Sequence, residues 1–477
     1  AKLVFASSPE QVAKALSAAS ERGLSLEVVG FDVPSDAAKR VISWSDFLQA
    51  GKARADSWSD ADFRRDALSA RPEDVATLLY TSGTTGEPKG VMLTHNNVAS
   101  NVRAASMVFV IGATDTTVSF LPLSHILQRM VDYLFFWVGC QIAYTRSVET
   151  LIADIKLVRP TVVVSVPRIY EKIYNGVMEA RGPKKALIGW AVRVADRVAD
   201  LRLTGSEPRG ILTLQYSVAD RLVFSKVKNA VGGRIRFFVS GGGPLSPVLN
   251  RFFYSIGLTI LEGYGLTETS PVTNVNTEKD FRIGTVGKTV PATQIRIAAD
   301  GEIFVRGPQV MKGYYNRPDA TAACIDAEGW FATGDIGVID ADGFLTITDR
   351  KKDLIVTAGG KNVAPQPIEN RLKTHPLVEQ VVMIGDRRRY CILLVVPAFR
   401  ALEEWARAQG ISFSSTEDLV QNPKVVAYVE SEVLGSLGDL ASFERPKKIA
   451  LLAHDLTVEN GFLTPSLKVK RRVVQER

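Results

Sequence analysis

The 477-residue sequence predicts an α/β protein: a large N-terminal domain of parallel-type β-sheets flanked by helices, with a β-rich subdomain, and then a small α+β C-terminal domain. Three observations carry that expectation. As far as Val290, short β-branched runs alternate with helical patterns, as parallel strands joined by crossover helices do. Beyond Val290 the texture changes to period-two alternation with Asp-Gly turns at Asp300-Gly301 and Asp342-Gly343, the pattern of antiparallel hairpins. The charged run Asp349 to Asp353 then interrupts the strands and sets the domain boundary, with 1–350 before it and 351–477 after.

In chain order, the apolar run Val75 to Tyr80 leads into a loop and Val91 to Leu93 leads out of it. Met130 to Tyr144 reads as buried core, falling short of the ~18 apolar residues of a membrane helix. Thr161 to Val166 predicts a buried strand, followed by a helix from Pro167 to about Ala180. Lys185 to Leu203 predicts a surface helix, with Arg193, Arg197 and Arg202 opposite its apolar stripe. Ile235 to Val239 predicts a strand entering Gly241-Gly242-Gly243, and Leu258 to Leu261 one entering Gly263-Tyr264-Gly265. Ligands of such folds gather at the carboxyl ends of strands, so three glycine-bearing loops, each just after a strand, are expected to converge on one crevice. Ile295 to Ile297, Glu302 to Val305 and Phe344 to Thr348 then alternate as antiparallel strands, and the tail adds strands near Gln380 to Ile384 and Cys391 to Val396.

A hydrophobic share of 46% with 23% charged residues is ordinary for a globular chain. Cys140, Cys324 and Cys391 lie far apart, which excludes a disulfide framework and a cysteine-rich metal site and favours a reducing compartment. With no signal peptide evident, the expected location is cytoplasmic, and contact with the periphery of a membrane is left open. The net charge of +7 is modest, and its clusters at Arg387 to Arg389 and Lys468 to Arg472 read as solvated faces, with polyanionic substrates or an anionic membrane as alternatives. Nothing points to nucleic acid, and the oligomeric state is not legible. Because the chain enters Leu3-Val4-Phe5 directly from Ala1, a natural N-terminal part is expected to be missing.

The most informative stretch is residues 80–90, YTSGTTGEPKG. Thr81, Ser82, Thr84 and Thr85 share it with Gly83, Gly86, Gly90 and Lys89. Glycines bring backbone N–H groups close to a ligand, hydroxyls donate hydrogen bonds, and a lysine offers phosphate a compact cation. This is a polyphosphate grip, though not a Walker loop, whose spacing differs and which needs a hydroxyl after the lysine. A flexible linker is the plain alternative. In the run Tyr264 to Thr269, the ring suits stacking on a purine and Glu268 suits a Mg²⁺ that bridges phosphate oxygens. Asp335, after Thr333-Gly334, could accept from two ribose hydroxyls or sit in an ordinary turn, and Arg350 could add a guanidinium to the same ribose. Lys468 lies in a loop-like segment where a solvated lysine is the alternative, and a lone histidine such as His125 is usually core.

Taken together, YTSGTTGEPKG, GYGLTET at 263–269, GWFATGD at 329–335, DRKKDLIVTAGGKN at 349–362 and TPSLKVKR at 464–471 occur in the order and spacing of the adenylate-forming enzymes. That superfamily contains acyl- and aryl-CoA synthetases, luciferases and adenylation domains, and the resemblance runs from about Glu73 to Arg472. Phe120 to His125, Val166 to Lys172 and Gly329 to Lys352 make the chain most similar to bacterial long-chain fatty acyl-CoA synthetases.

The resemblance implies a two-step reaction that uses ATP, Mg²⁺ and coenzyme A. A fatty carboxylate attacks the α-phosphate of ATP, giving acyl-AMP and pyrophosphate, and the coenzyme A thiolate then displaces AMP. It implies that Thr81, Ser82, Gly83, Thr84, Thr85 and Lys89 hold the β- and γ-phosphates, and that Glu268 and Thr81 attend the metal with Thr267 beside them. Gly242, Gly243, Tyr264 and Gly265 would frame the adenine, and Asp335 and Arg350 would hold the ribose. His125 would sit at the carboxylate end of an acyl tunnel walled by Phe135 to Val138 and Val163 to Val166, and Lys468 would bridge the α-phosphate and the fatty carboxylate. The C-terminal domain is then mobile, rotating about Lys352 so that Lys468 withdraws and Gly359, Gly360, Lys361 and Asn362 line the thiol's approach. One rival is an acyl-AMP ligase serving a carrier protein, whose extra segment is not evident between Thr333 and Lys352. A second, a nucleotide-binding relative without catalysis, is opposed by Glu268, Asp335 and Lys468.

Overall fold

The computed structural model describes residues 2–476 except 37, 39, 56, 82–87, 148, 149, 179, 181, 458 and 464–468. The chain divides into two compact units, Ala1–Asp74 and Val75–Arg477. In the first, the parallel strands Leu3–Ala6, Glu27–Gly30 and Val41–Ser43 carry the helix Pro9–Glu21, and Val12 of that helix packs with Ala6, Val28 and Val41.

The second unit holds every described candidate residue. Its central sheet runs Lys288–Thr289, Val272–Val275, Thr259–Gly265, Phe237–Ser240, Val162–Ser165. The last three strands are parallel, as the sequence predicts for two β-branched runs and a crossover topology. Val162, Val164, Phe237 and Leu261 enter one core, while Val163, Phe238 and Ile260 enter another. Burial on both faces is why these strands read as continuous apolar runs. The helix Pro183–Leu203 buries Ala191, Val194, Ala195, Val198 and Ala199 and exposes Arg193 and Arg197.

Three expectations need correction. Gly263 to Gly265 do not follow the strand; they belong to it, because Val272–Val275 pairs alongside with Gly263 opposite Val275 and Gly265 opposite Val272. The segment at 80–90 joins two antiparallel strands, Val75–Thr81 and Lys89–Thr94, with Thr81 opposite Lys89, whereas parallel strands are expected before Val290. Met130 to Tyr144 is only half core. The helix Ile126–Val138 buries Met130, Val131, Leu134 and Phe135, but its other face exposes Tyr133, Phe136 and Trp137.

The β-rich part is a four-stranded antiparallel sheet in the order Gln294–Ile297, Glu302–Arg306, Phe331–Ile339, Leu345–Arg350. Asp335 therefore lies on a strand and not in a turn. Further on, Val378–Ile384 pairs antiparallel with Ile392–Pro397, which pairs parallel with Lys448–Leu451, around a core drawn from Ile355 to Ile449.

Gly265 is fixed by space: a Cβ there would lie 1.8 Å from the Pro271 carbonyl oxygen, a backbone atom that cannot swing aside. Gly265→Ala is expected to lower stability by about 3 kcal/mol in denaturant unfolding. A midpoint equal to that of the unsubstituted protein would contradict the close approach.

Candidate active site

The strand Thr259–Gly265 and the 3-10 turn Thr267–Thr269 that follows it present two receptors a few residues apart. At the first, the Tyr264 hydroxyl donates to Asp335 Oδ2 at 2.7 Å and Arg350 Nε donates to Asp335 Oδ1 at 2.8 Å. Asp335 and Arg350 face each other across neighbouring strands. Asp335 is 4% exposed, whereas the Arg350 side chain keeps 29% of its surface. Burial, and then the Asp335 charge, push the Tyr264 phenol well above its ordinary pKa, so it stays a donor. The structure thus joins Tyr264, Asp335 and Arg350, three residues drawn from motifs far apart in sequence.

At the second receptor, Tyr314 donates to Glu268 Oε1 at 2.8 Å, and Lys89 Nζ stands over the Tyr314 ring, 4.9 Å from its centre. The short strand Gly313–Tyr314 pairs with Lys89–Thr94 and so brings the ring beside Lys89. The turn carrying Glu268 is held to the same segment by the Met311 amide, which donates to the Glu268 carbonyl at 2.8 Å. Burial and then Glu268 push the Cys324 thiol up to about 11, which leaves it an inert neighbour. Thr81 Oγ1 donates to the Lys89 carbonyl at 3.4 Å. Ser82, Gly83, Thr84 and Thr85 lie outside the described residues.

Sequence reasoning missed Tyr314. A buried tyrosine after a glycine reads as core, and no spacing links it to a carboxylate 46 residues earlier. It also missed Lys351, whose ammonium donates to Asp300 Oδ2 and Glu302 Oε2, both at 2.7 Å, while Glu302 Oε1 accepts from the Gly334 amide at 3.0 Å. These contacts pin the residue next to the expected pivot onto the β-rich sheet.

Gly242 takes φ +77°, a conformation that suits glycine, and the glycine loop lies against Leu127 and Val166. His125 caps the helix Ile126–Val138, its Nδ1 accepting from the Leu127 amide at 3.2 Å. The helix that His125 starts therefore abuts the loop 241–243. Of the expected tunnel walls, Phe135, Val163 and Val164 are buried, but Phe136 and Trp137 face outward.

Lys352 is largely exposed, yet burial of its ammonium and then Arg350 lower its pKa, against the pull of Asp353, Asp335 and Glu268. Gly360, at φ +72°, turns a small hairpin between Ile355–Val356 and Asn362–Val363. That hairpin is sewn to the arginine turn: Arg387 N donates to Val356 O and Ala358 N to Arg388 O, each at 2.8 Å. Lys361 stands 5.8 Å from the Phe443 ring. Lys468 lies outside the described residues, but the segments flanking it pair, with Leu463 opposite Val469. Just beyond, Arg471 donates to both oxygens of Glu369, at 2.7 and 3.0 Å.

The fold is that of the adenylate-forming class of enzyme. Two family profiles match: AMP-binding enzyme over residues 1–315, and AMP-binding enzyme C-terminal domain over 352–423. The chain belongs to the AMP-binding enzyme family. It is 40% identical over 412 residues to the long-chain-fatty-acid–CoA ligase FadD15 of Mycobacterium tuberculosis, covering 85% of this chain and 68% of that protein. It is 36% identical over 467 residues to the peroxisomal long chain acyl-CoA synthetase 6 of Arabidopsis thaliana, covering 93% and 64%. In structure it resembles ATP-bound MatB of Rhodopseudomonas palustris, with a TM-score of 0.69 at 24% identity, over 100% of this chain and 78% of that one.

Removing the charge from Asp335 strands a guanidinium and a buried phenol together. Asp335→Asn is expected to lower unfolding free energy by about 3 kcal/mol and to weaken nucleotide binding. Calorimetry with AMP and denaturant unfolding check both, and unchanged values in each would remove Asp335 from the site.

Proposed function

We propose that the protein activates long-chain fatty acids in two steps, forming acyl-AMP and pyrophosphate from fatty acid and ATP, then acyl-CoA and AMP from acyl-AMP and coenzyme A. The observation that supports it best is the pair of receptors carried by one strand and its turn, Tyr264 bonded to Asp335 and Glu268 bonded to Tyr314 beside Lys89. One suits a ribose and the other a polyphosphate, and one strand with its turn carries both. Relatives named long-chain-fatty-acid–CoA ligases support the acyl substrate.

Fatty carboxylate and ATP repel each other, so the first step needs cationic groups where charge develops on the α-phosphate. Lys89 serves the leaving pyrophosphate and Lys468 the reacting phosphate and carboxylate; Asp335 and Arg350 fix the ribose so that attack is in line. Among the described residues no group of three or more His, Cys, Asp or Glu could hold a metal alone. Glu268, with one oxygen on Tyr314, fits instead a Mg²⁺ that takes one carboxylate and completes its shell with phosphates and water. When bound, that ion supplies charge neutralisation on the phosphates. Residues 351–477 are the mobile small domain of this reading, and the basic turn Arg387 to Arg389 travels with the hairpin at Gly360, offering anionic coenzyme A a cationic margin. No helix among the described residues is long and apolar enough to cross a membrane. A cytoplasmic enzyme with peripheral membrane contact accords with that.

Pyrophosphate release from ATP with palmitate, measured with and without coenzyme A, tests the function. Release in both cases, with thioester formed when coenzyme A is present, is expected. Release without thioester favours delivery to a carrier protein, and no release favours a binding module. Lys468→Ala should slow adenylation by about a hundredfold or more while leaving thioester formation from supplied acyl-adenylate largely intact; equal loss of both contradicts its role. Lys352→Pro fixes φ at the pivot and should impair thioester formation more than adenylation in the same two assays, and an unimpaired second step removes the hinge from Lys352.

A further inference from the structure

Two residues before Tyr264, the central strand carries Glu262, 6% exposed and absent from every role above. Its neighbours across the parallel strands are Ser240 and, beyond it, Ser165, so the three side chains form one row at the carboxyl ends of the strands. With period two, the row shares its face with Ile260, Phe238 and Val163, which enter the second core beneath the helix Pro247–Ser255. Glu262 Oε1 accepts from the Leu245 amide at 3.0 Å, directly after the loop Gly241 to Pro244. The hydroxyl of Ser240 beside it, and in the segment that follows Leu245 the hydroxyl of Ser246 and the amide of Asn250, are buried with no hydrogen-bond partner among the described residues, while Ser165 meets the Tyr170 phenol. A buried layer holding so many unmatched polar atoms is short of a donor and an acceptor, and a carboxylic acid supplies both.

We propose that Glu262 acts as a neutral carboxylic acid that positions the glycine loop 241–244 against the nucleotide-binding strand, accepting from Leu245 through one oxygen and donating its own O–H into the buried layer. Burial alone, opposed only by the Leu245 amide, pushes its pKa up to about 8. Charged groups on the packed elements look elsewhere: Arg251 pairs with Asp196 and Asp200, and Lys288 with Asp280. Of the neighbouring phenols, Tyr170 donates to the Val239 carbonyl, Tyr254 stacks on Phe281, and Tyr264 is engaged by Asp335. Ionisation removes the O–H donor and leaves a buried charge with the Leu245 amide but no ion-pair partner among the described residues, so the loop loosens as pH rises.

The same group marks stability with a definite sign. Between its ordinary value of 4.5 and about 8, the folded protein keeps a proton that the unfolded chain has released. Stability therefore falls as pH rises through that window and levels off above it.

Glu262→Gln keeps an acceptor and a donor without charge, and separates the outcomes. Unsubstituted protein should lose kcat/KM for ATP in pyrophosphate release above about pH 8, roughly tenfold per pH unit as the neutral form is depleted. Glu262→Gln should stay within about threefold of the neutral-pH rate and lack that decline. The same decline in both overturns the proposal. This rate measurement rests on the adenylation proposed above, whereas unfolding midpoints between about pH 5 and pH 9 do not. There the unsubstituted protein should fall more steeply than Glu262→Gln, and parallel curves overturn the proposal even if no pyrophosphate is ever released. Should the variant not fold, infrared spectra of the unsubstituted protein decide: a carboxylic-acid C=O band present at neutral pH and lost near pH 8 supports it, and absence of the band at neutral pH overturns it.

Discussion

Asp335 accepts from Tyr264 on the central sheet and from Arg350 on the neighbouring antiparallel sheet, and much of the second unit is arranged to keep that carboxylate paired. A charge this deeply buried costs several kcal/mol unless its hydrogen bonds are made. The antiparallel strands that carry Asp335 and Arg350 must therefore hold register, and the central strand must present Tyr264 from the other side. Gly265 lets Pro271 approach the same strand end, which leaves Tyr264 no freedom to drift. Arg350 is also the last residue of its strand, so the point where the chain leaves the β-rich sheet is set by its contact with Asp335.

Lys89 and Glu268 pose a different problem. A lysine and a glutamate placed side by side would neutralise one another and leave little for a ligand. Here a phenol stands between them, its ring under Lys89 and its hydroxyl on Glu268. The phenol takes one oxygen of the carboxylate, and its ring keeps the ammonium apart from it. Lys351, clamped by Asp300 and Glu302, is the cation committed to structure, while its neighbour Lys352 has its pKa lowered by burial and then by Arg350. Adjacent lysines thus differ: Lys351 is anchored by two carboxylates, and Lys352 has no ion pair among the described residues.

Much of this was legible in the sequence where one residue type has one job. The parallel core strands were visible because burial on both faces leaves unbroken apolar runs, and the β-rich part because Asp-Gly turns punctuate period-two strands. Asp335, Arg350, Tyr264 and Glu268 stood out only together, through the order and spacing of the motifs that carry them, since each alone has an ordinary structural reading. Tyr314 was hidden, since a buried tyrosine looks the same whether it fills space or orients a carboxylate. The hairpin character of the loop at 80–90 was hidden as well, because Val75–Thr81 finds its partner strand only after the glycines. The exposed face of the helix Ile126–Val138 could not be read from hydropathy, since Phe136 and Trp137 are as apolar as the buried Phe135 beside them.

Glu262, Glu268 and Asp335 show why composition stops short of chemistry. Glu262 and Glu268 differ by nothing in side-chain structure and stand six positions apart. The first lies under a helix and a glycine loop, with a single backbone amide for company. The second sits half-buried on a turn, with a phenol on one oxygen and a lysine beyond it. Asp335 has a phenol and a guanidinium at once. A strand alternates its faces, so one chain segment can send a carboxyl into an apolar layer and, just past its end, turn another toward a ligand. What separates these carboxyl groups is therefore which layer the pleat delivers each to: the helix Pro247–Ser255 packs over the face that Glu262 shares with Ile260, whereas Glu268 lies past the end of the strand.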